Sequence, residues 1–506
     1  MSPTKLVAKR ARKEAAQWLL PPIVQQVVYC LESVEDVLAF LDAVPPDACN
    51  EALDTLRTLV ENDAYLWPVP SVTDLAKIDA SIVSNVLPAL HMVQVDIDDA
   101  LTDFCRRTPL PATTLVRAGV SSDLQYFRLN DGHWISNIDN LGISVKCTSL
   151  DTSLLQQTLA ACTNLQTLAI EWEDAIDQDH FDKVMAAITA SCPRLPNLIL
   201  GAAKHFTLPR CESLLAWLAR PSSRKFELIC IDFAPRAATS LAIKMLSSTT
   251  LHTLTVSEAH HVLTSCLDPS APPLPRQLRH LTFGTKKGWR DVASFAGKLA
   301  PSAIQRLDLR FGTSLDISSI MAVVPPTVRT LKLDNVGTDF FPALPELQYV
   351  RLRRATLANE AIVALTALLA TSTSLVRLDL EDATLPEDQL QLIHYALPRW
   401  LSRQQHACTA RLHVTEANVA MLAAVMIMTR NTQFVHLELC DDDACELVAQ
   451  RSFVTALGTT SRMRLRLLTA LSTEDEVEFE EFARLHHVEC ARGLFHSPKC
   501  TPWMPL

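Results

Sequence analysis

Residues 304–309 read IQRLDL, 328–333 VRTLKL, 347–352 LQYVRL and 375–380 LVRLDL. In each, apolar side chains stand at the first, fourth and sixth positions. The last two lie two residues apart, as on one face of a strand, and the residues between them point the other way. The same pattern recurs as LQTLAI from Leu165, LPNLIL from Leu195, FELICI from Phe226, LHTLTV from Leu251 and LRHLTF from Leu278. It continues as TARLHV from Thr409 and FVHLEL from Phe434. LQYFRL from Leu124 fits at the front and RMRLRLL from Arg462 at the back, and Ile138, Leu141 and Ile143 form a weaker match. From Leu165 to Phe434 the starts are 19 to 34 residues apart, about 27 on average. Such a period marks a stacked array in which each unit buries its apolar face against the next.

Between these strands lie segments with apolar residues at helical spacing. They are HFDKVMAAITASC (180–192), ESLLAWLAR (212–220), ATSLAIKMLSS (238–248), NEAIVALTALLATS (359–372) and EANVAMLAAVMIMTR (416–430). Strand, helix and parallel strand, repeated in one direction, give an α/β solenoid. The pattern resembles the leucine-rich repeat family, in its longer intracellular form, over about Leu124 to Leu468. That resemblance implies a horseshoe with parallel strands inside and helices outside. The family's Asn or Cys after the strand is usually replaced, as by Ala355 and Ala383. The turns must then satisfy their backbone groups by other means.

Ahead of the repeats, Lys5, Lys9, Arg10, Arg12 and Lys13 make a basic start, which reads as a solvated tail or a nuclear-import signal. Leu20-Pro21 opens a helical stretch with Val24, Val27, Val28 and Leu31 on one face, then Asp36, Val37, Leu38 and Leu41 in a second helix. This order resembles the F-box motif, which in substrate receptors typically precedes leucine-rich repeats. The match covers about 25 residues and stops after Leu41; the motif's basic, tryptophan-bearing third helix is absent. The resemblance implies that Leu20, Pro21, Val24, Val27, Val28, Leu31, Val37 and Leu38 dock on the adaptor of a cullin-RING ubiquitin ligase. The other reading is a helical cap over the open end of the solenoid. The expected organisation is a basic tail (1–16), F-box-like helices (17–44), a helical connector or cap (45–118), the solenoid (119–470) and a C-terminal cap (471–506).

Composition excludes several functions. With 11 glycines in 506 residues there are no phosphate-cradling loops, and the GTKKG at Gly284–Gly288 lacks the P-loop ending. A net charge of −10 argues against a whole-chain nucleic-acid footprint. The longest apolar run, Ala417–Met428, is too short to span a bilayer. The start carries no secretory apolar run, and the 14 cysteines contain no CxxC. A reduced intracellular chain, cytoplasmic or nuclear, is expected.

No catalytic motif is present, so no enzymatic activity is expected. His260-His261 beside Glu258, the Asp441–Asp443 run and EDEVEFEE at 474–481 read as an exposed turn, a loop and a solvated helix face. The tail holds His487, Cys490, His496 and Cys500, but the five-residue middle gap is short for a zinc module. No metal and no cofactor are expected.

Positions between the buried strand residues carry the interaction signal. Arg306, Arg310, Lys332, Tyr349, Arg351, Arg353, Arg354 and Arg377 form a basic stripe with Asp308, Asp334 and Asp379 interspersed. An acidic set follows: Glu381, Asp382, Glu416, Glu438 and Asp441. Such a face can hold an unknown protein substrate, or its charges can be laced into local ion pairs. A scaffold or an enzyme regulator without a ligase link shares every repeat feature.

Overall fold

The computed structural model describes residues 20–31, 34–62, 66–97, 104–121, 134–145, 150–287, 289, 292–381, 387–404, 408–413, 418–429, 435–440, 447–460, 463–467, 473–491 and 494–496. The basic tail, LQYFRL at Leu124, Asp382, Ala383, Glu416, Asp441–Asp443 and Cys500 lie outside these residues. The chain divides into two compact units, residues 1–208 with 212–223, and 209–211 with 224–503.

Among the described residues the first unit has, before its strands, α1 (Pro21–Val28), α2 (Val34–Ala43), α3 (Glu51–Asn62), α4 (Val72–Leu75) and α5 (Ala80–Val86). Pro21 and Pro22 occupy the first turn of α1, where a missing N–H costs nothing. Val34, Val37, Leu38 and Leu41 bury one stripe of α2 at i, i+3, i+4 and i+7. Asn50 caps α3 by accepting from the Leu53 N–H at 3.0 Å. Strands β1 (Met92–Ile97), β2 (Leu115–Ser121), β3 (Ile138–Val145), β4 (Thr167–Trp172) and β5 (Asn197–Leu208) follow. All pair in parallel, in that order.

The repeats therefore start earlier than expected. Residues 92–118, assigned from sequence to a helical connector, hold β1 and the start of the parallel β2. LHMVQV from Leu90 is itself a copy of the pattern, with Leu90, Val93 and Val95 buried. The weak match at Ile138 is a regular strand, its Leu141 and Ile143 in register with Leu168 and Ile170.

The second unit runs through β6 (Lys225–Phe233), β7 (Thr253–Ser257), β8 (His280–Thr285), β9 (Arg306–Asp316), β10 (Thr330–Thr338), β11 (Tyr349–Arg353), β12 (Thr356–Leu357), β13 (Arg377–Glu381), β14 (Cys408–His413), β15 (Val435–Cys440) and β16 (Met463–Leu467). These too are parallel, β12 pairing with the end of β10. A short antiparallel hairpin, β17 (Glu489–Ala491) and β18 (Leu494–His496), closes onto β16. Helices connect the strands, so each unit is a stretch of α/β solenoid.

Two repeat frames need correction. Phe226 pairs with Leu254 and Leu228 with Val256, so Phe226 holds the fourth position of its repeat, not the first. The first position is Ser223, buried, with its hydroxyl donating to the Trp217 carbonyl at 2.9 Å. Likewise Ala410 pairs with Leu437 and Leu412 with Leu439, so that repeat begins at 407 rather than Thr409.

The position of the family's ladder residue is held by buried Ile231, Ala259, Val336 and Ala355. The residue before each one, Cys230, Glu258, Asn335 and Arg354, adopts a left-handed backbone with φ between 47° and 60°. That bend swings the next side chain back into the core. Polar groups nearby replace the ladder. Asn335 donates to the Phe311 carbonyl at 2.6 Å. The buried Asp232 carboxylate accepts from the His261 and Val262 N–H groups at 2.9 and 3.3 Å, at the start of the His260–Leu267 helix.

Candidate functional site: the strand face of the second unit

Side chains at the third, fifth and seventh repeat positions form three rows across β6–β13. One row reads Lys225, Thr253, His280, Arg306, Thr330, Tyr349 and Arg377. The next reads Glu227, Thr255, Thr282, Asp308, Lys332, Arg351 and Asp379. The third includes Ser257, Arg310, Asp334 and Arg353.

Most charges expected to meet a partner already meet each other. Arg310 grips the buried Asp308 through two bonds of 2.9 and 2.7 Å, which holds its guanidinium above the usual arginine range. Arg354 grips Asp334 in the same way at 2.9–3.1 Å, and Arg353 approaches that carboxylate at 3.7 Å. Asp379 is buried beneath Arg351 and Arg377 at 3.7 and 3.9 Å and accepts from the Tyr349 hydroxyl at 3.2 Å. Burial first, and the Asp379 charge second, push the Tyr349 phenol up. Lys332 and Arg377 each sit 4.9 Å from the centre of the Tyr349 ring.

Two cations stand apart from these pairs. Arg306 and Lys332 have no acidic partner within ion-pair distance among the described residues. Burial lowers the Lys332 ammonium, and the neighbouring Arg306 lowers it further. The side chains of Glu381 and Glu438 lie outside the described set, although their backbones continue β13 and β15.

Between β6 and β9 the face is indented by a cavity of about 440 Å³. Lys225, Thr253, Thr255, His280, Thr282 and Arg306 are among its walls, and none except Arg306 was expected from sequence. The slipped frame at Phe226 hid Lys225 and Glu227. Read from Ser223, the alternation exposes both.

The N-terminal set divides differently. Val24, Val28, Val37 and Leu38 are at most 1% exposed, which corrects the expectation that they contact an adaptor. Their faces of α1 and α2 turn inward. The α1 helix lies against the turn entering β1: the Gln25 amide and the Tyr29 hydroxyl both donate to the Pro88 carbonyl, and the Tyr29 ring lies tilted, 4.8 Å from that of His91. The Trp67 indole donates to the Leu31 carbonyl at 3.0 Å. Leu20, Ile23 and Val27 remain exposed along the adjoining edge of that face, at 55%, 43% and 37%. Pro21 and Leu31 are half-buried.

Among the described residues no group of three His, Cys, Asp or Glu side chains is placed to hold a metal ion, and no helix is long and apolar enough to cross a membrane. Cys30, Cys49, Cys105, Cys162, Cys192, Cys211, Cys230, Cys266 and Cys408 are free thiols; burial pushes Cys105, Cys162, Cys266 and Cys408 up to about 12.

No family model matches the chain, and no curated protein matches it. A solved structure, the crystal structure of the Rad7 and Elc1 complex in yeast, is similar at 10% identity with a TM-score of 0.31. The likeness spans 95% of this chain and 90% of that one. The architecture described above rests on strand register and burial, not on that likeness.

Proposed function

We propose that the chain is a non-catalytic protein-interaction module that holds an acidic partner segment on the strand face of its second unit. The observation that carries this is the charge balance from β9 to β13. Arg306, Arg310, Lys332, Arg351, Arg353, Arg354 and Arg377 there exceed Asp308, Asp316, Asp334, Asp379 and Glu381 in a protein whose overall charge is −10. The planar arginine fork suits carboxylate or phosphate on a partner. The test is titration of the full chain with a fluorescent glutamate-rich peptide, beside an Arg306→Glu/Lys332→Glu variant. Binding that the reversal abolishes supports the reading; equal binding by both proteins refutes it.

A second reading is the substrate receptor of a cullin-RING ubiquitin ligase. It is supported by the exposed apolar stripe Leu20, Ile23 and Val27 on α1, beside the half-buried Pro21. In this reading the buried Val24, Val28, Val37 and Leu38 hold α1 in place and the stripe meets the adaptor. Co-purification with the adaptor, lost in Leu20→Ala/Ile23→Ala/Val27→Ala at unchanged melting temperature, is the expected result. If no complex forms, α1–α5 are only a cap.

A further inference from the structure

The cavity between β6 and β9 has features that a face for carboxylates alone does not require. Its two acids are already neutralised: Glu227 lies 2.9 Å from Lys225, and Asp308 is held by the Arg310 fork. Arg306 stands at the wall with no acid within ion-pair distance among the described residues. His280 is beside it, its imidazole lowered first by burial and then by Arg306. Lys332, one strand on, is outside the cavity walls and lies over the Tyr349 ring. Across the cavity run the hydroxyls of Thr253, Thr255 and Thr282, in adjacent positions on parallel strands. The Thr253 hydroxyl lies 3.4 Å from His280 Nδ1.

A half-buried cation without an anion is costly, and a ligand that supplies the charge recovers that cost. A phosphate monoester brings close to two negative charges and three acceptor oxygens at neutral pH. A carboxylate brings one charge and two oxygens. One unpaired guanidinium fork and a row of hydroxyl donors match the larger demand better.

We propose that this cavity is a phosphate-monoester site that takes a phosphorylated side chain of the partner, with Arg306 as the charge-bearing ligand and Thr255 and Thr282 as neutral donors. The inference rests on the strand-face docking reading and adds the chemistry of the group recognised.

The experiment uses the full chain and three blocked pentapeptides of alanine whose central residue is phosphoserine, serine or glutamate. Binding is followed by calorimetry at fixed ionic strength. The phosphoserine peptide is expected to bind at least tenfold more tightly than the glutamate peptide. Arg306→Gln and Thr255→Val are each expected to erase most of that preference. Near-identical melting temperatures will show that both variants fold, and the conservative Arg306→Lys should restore part of the binding. Phosphoserine and glutamate peptides that bind equally, both needing Arg306, overturn the phosphate assignment and leave acidic-segment docking intact. Absence of binding by all three peptides, with a glutamate-rich chain still captured elsewhere on the protein, overturns the site itself. A single-stranded RNA that competes as well as the phosphopeptide does overturns the monoester assignment, because it would mean that phosphodiesters suffice.

Discussion

Single side chains in this protein show how a repeat tolerates polar atoms in its core. His394 is 1% exposed, and burial lowers its imidazole to about 4. The unfolded chain titrates it near 6.5, so protonation favours unfolding. Stability present above pH 6.5 is lost as pH falls through 4, by up to about 3 kcal/mol. Urea midpoints of the wild type and His394→Leu, measured from pH 7.5 to 4, should diverge below pH 6.5, with the variant the less acid-sensitive. Lys298, also buried, spends its ammonium on the Cys266 and Asp268 carbonyls at 2.9 and 2.7 Å, at the end of the His260–Leu267 helix. Lys298→Met should lower stability by about 1–3 kcal/mol, because those carbonyls lose a charged donor. Denaturant titration reads the loss, and an unchanged midpoint would show that water serves them equally well. Cys230 makes the opposite case. A left-handed backbone at φ 60° strains any side chain, so Cys230→Gly should raise stability by about 0.5–1 kcal/mol.

The α1 helix separates two roles on adjoining faces. Val24→Ala and Val28→Ala remove fully buried methyls and should each cost about 1–2 kcal/mol, read as a lower melting temperature. Substitution of Leu20, Ile23 and Val27 by Ala should leave that temperature within a degree or two, since these side chains already face water. If both sets destabilise alike, the exposed stripe belongs to the fold and has no docking role. The F-box-like spacing was legible in the sequence, but spacing alone does not say which face turns inward. The contacts of Gln25, Tyr29 and Trp67, 36 to 63 residues away in sequence, decide that.

At the scale of the molecule the charge distribution matters more than its sum. A net −10 argues against polyanion binding, yet β9–β13 gather seven cations on one face of the second unit. Most are tied to Asp308, Asp334 and Asp379, so the face is locally neutralised except around Arg306 and Lys332. Association with an acidic segment should therefore weaken as salt rises from 0.05 to 0.5 M, roughly in proportion to one or two released ion pairs rather than seven. Binding constants against salt check this, and a slope near seven would mean that the internal pairs open on binding.

The alternation of Leu, Val and Ile at the first, fourth and sixth positions determined the strands, their parallel stacking and the helices between them. That pattern is local and repeated, and each copy repeats the same burial. Even the early strand at Leu90 was written there as LHMVQV. Register was a different matter. FELICI offers two apolar frames, and only pairing with Leu254 and Val256 shows that Ser223, a buried serine bonded to a helix carbonyl, takes a leucine's place. The partners of the charges also depended on neighbours in space. Asp308, Asp334 and Asp379 look in sequence like diluents of a basic stripe. Folding places each beneath an arginine, and what remains for a ligand is a cavity whose hydroxyls and histidine come from strands read as plain.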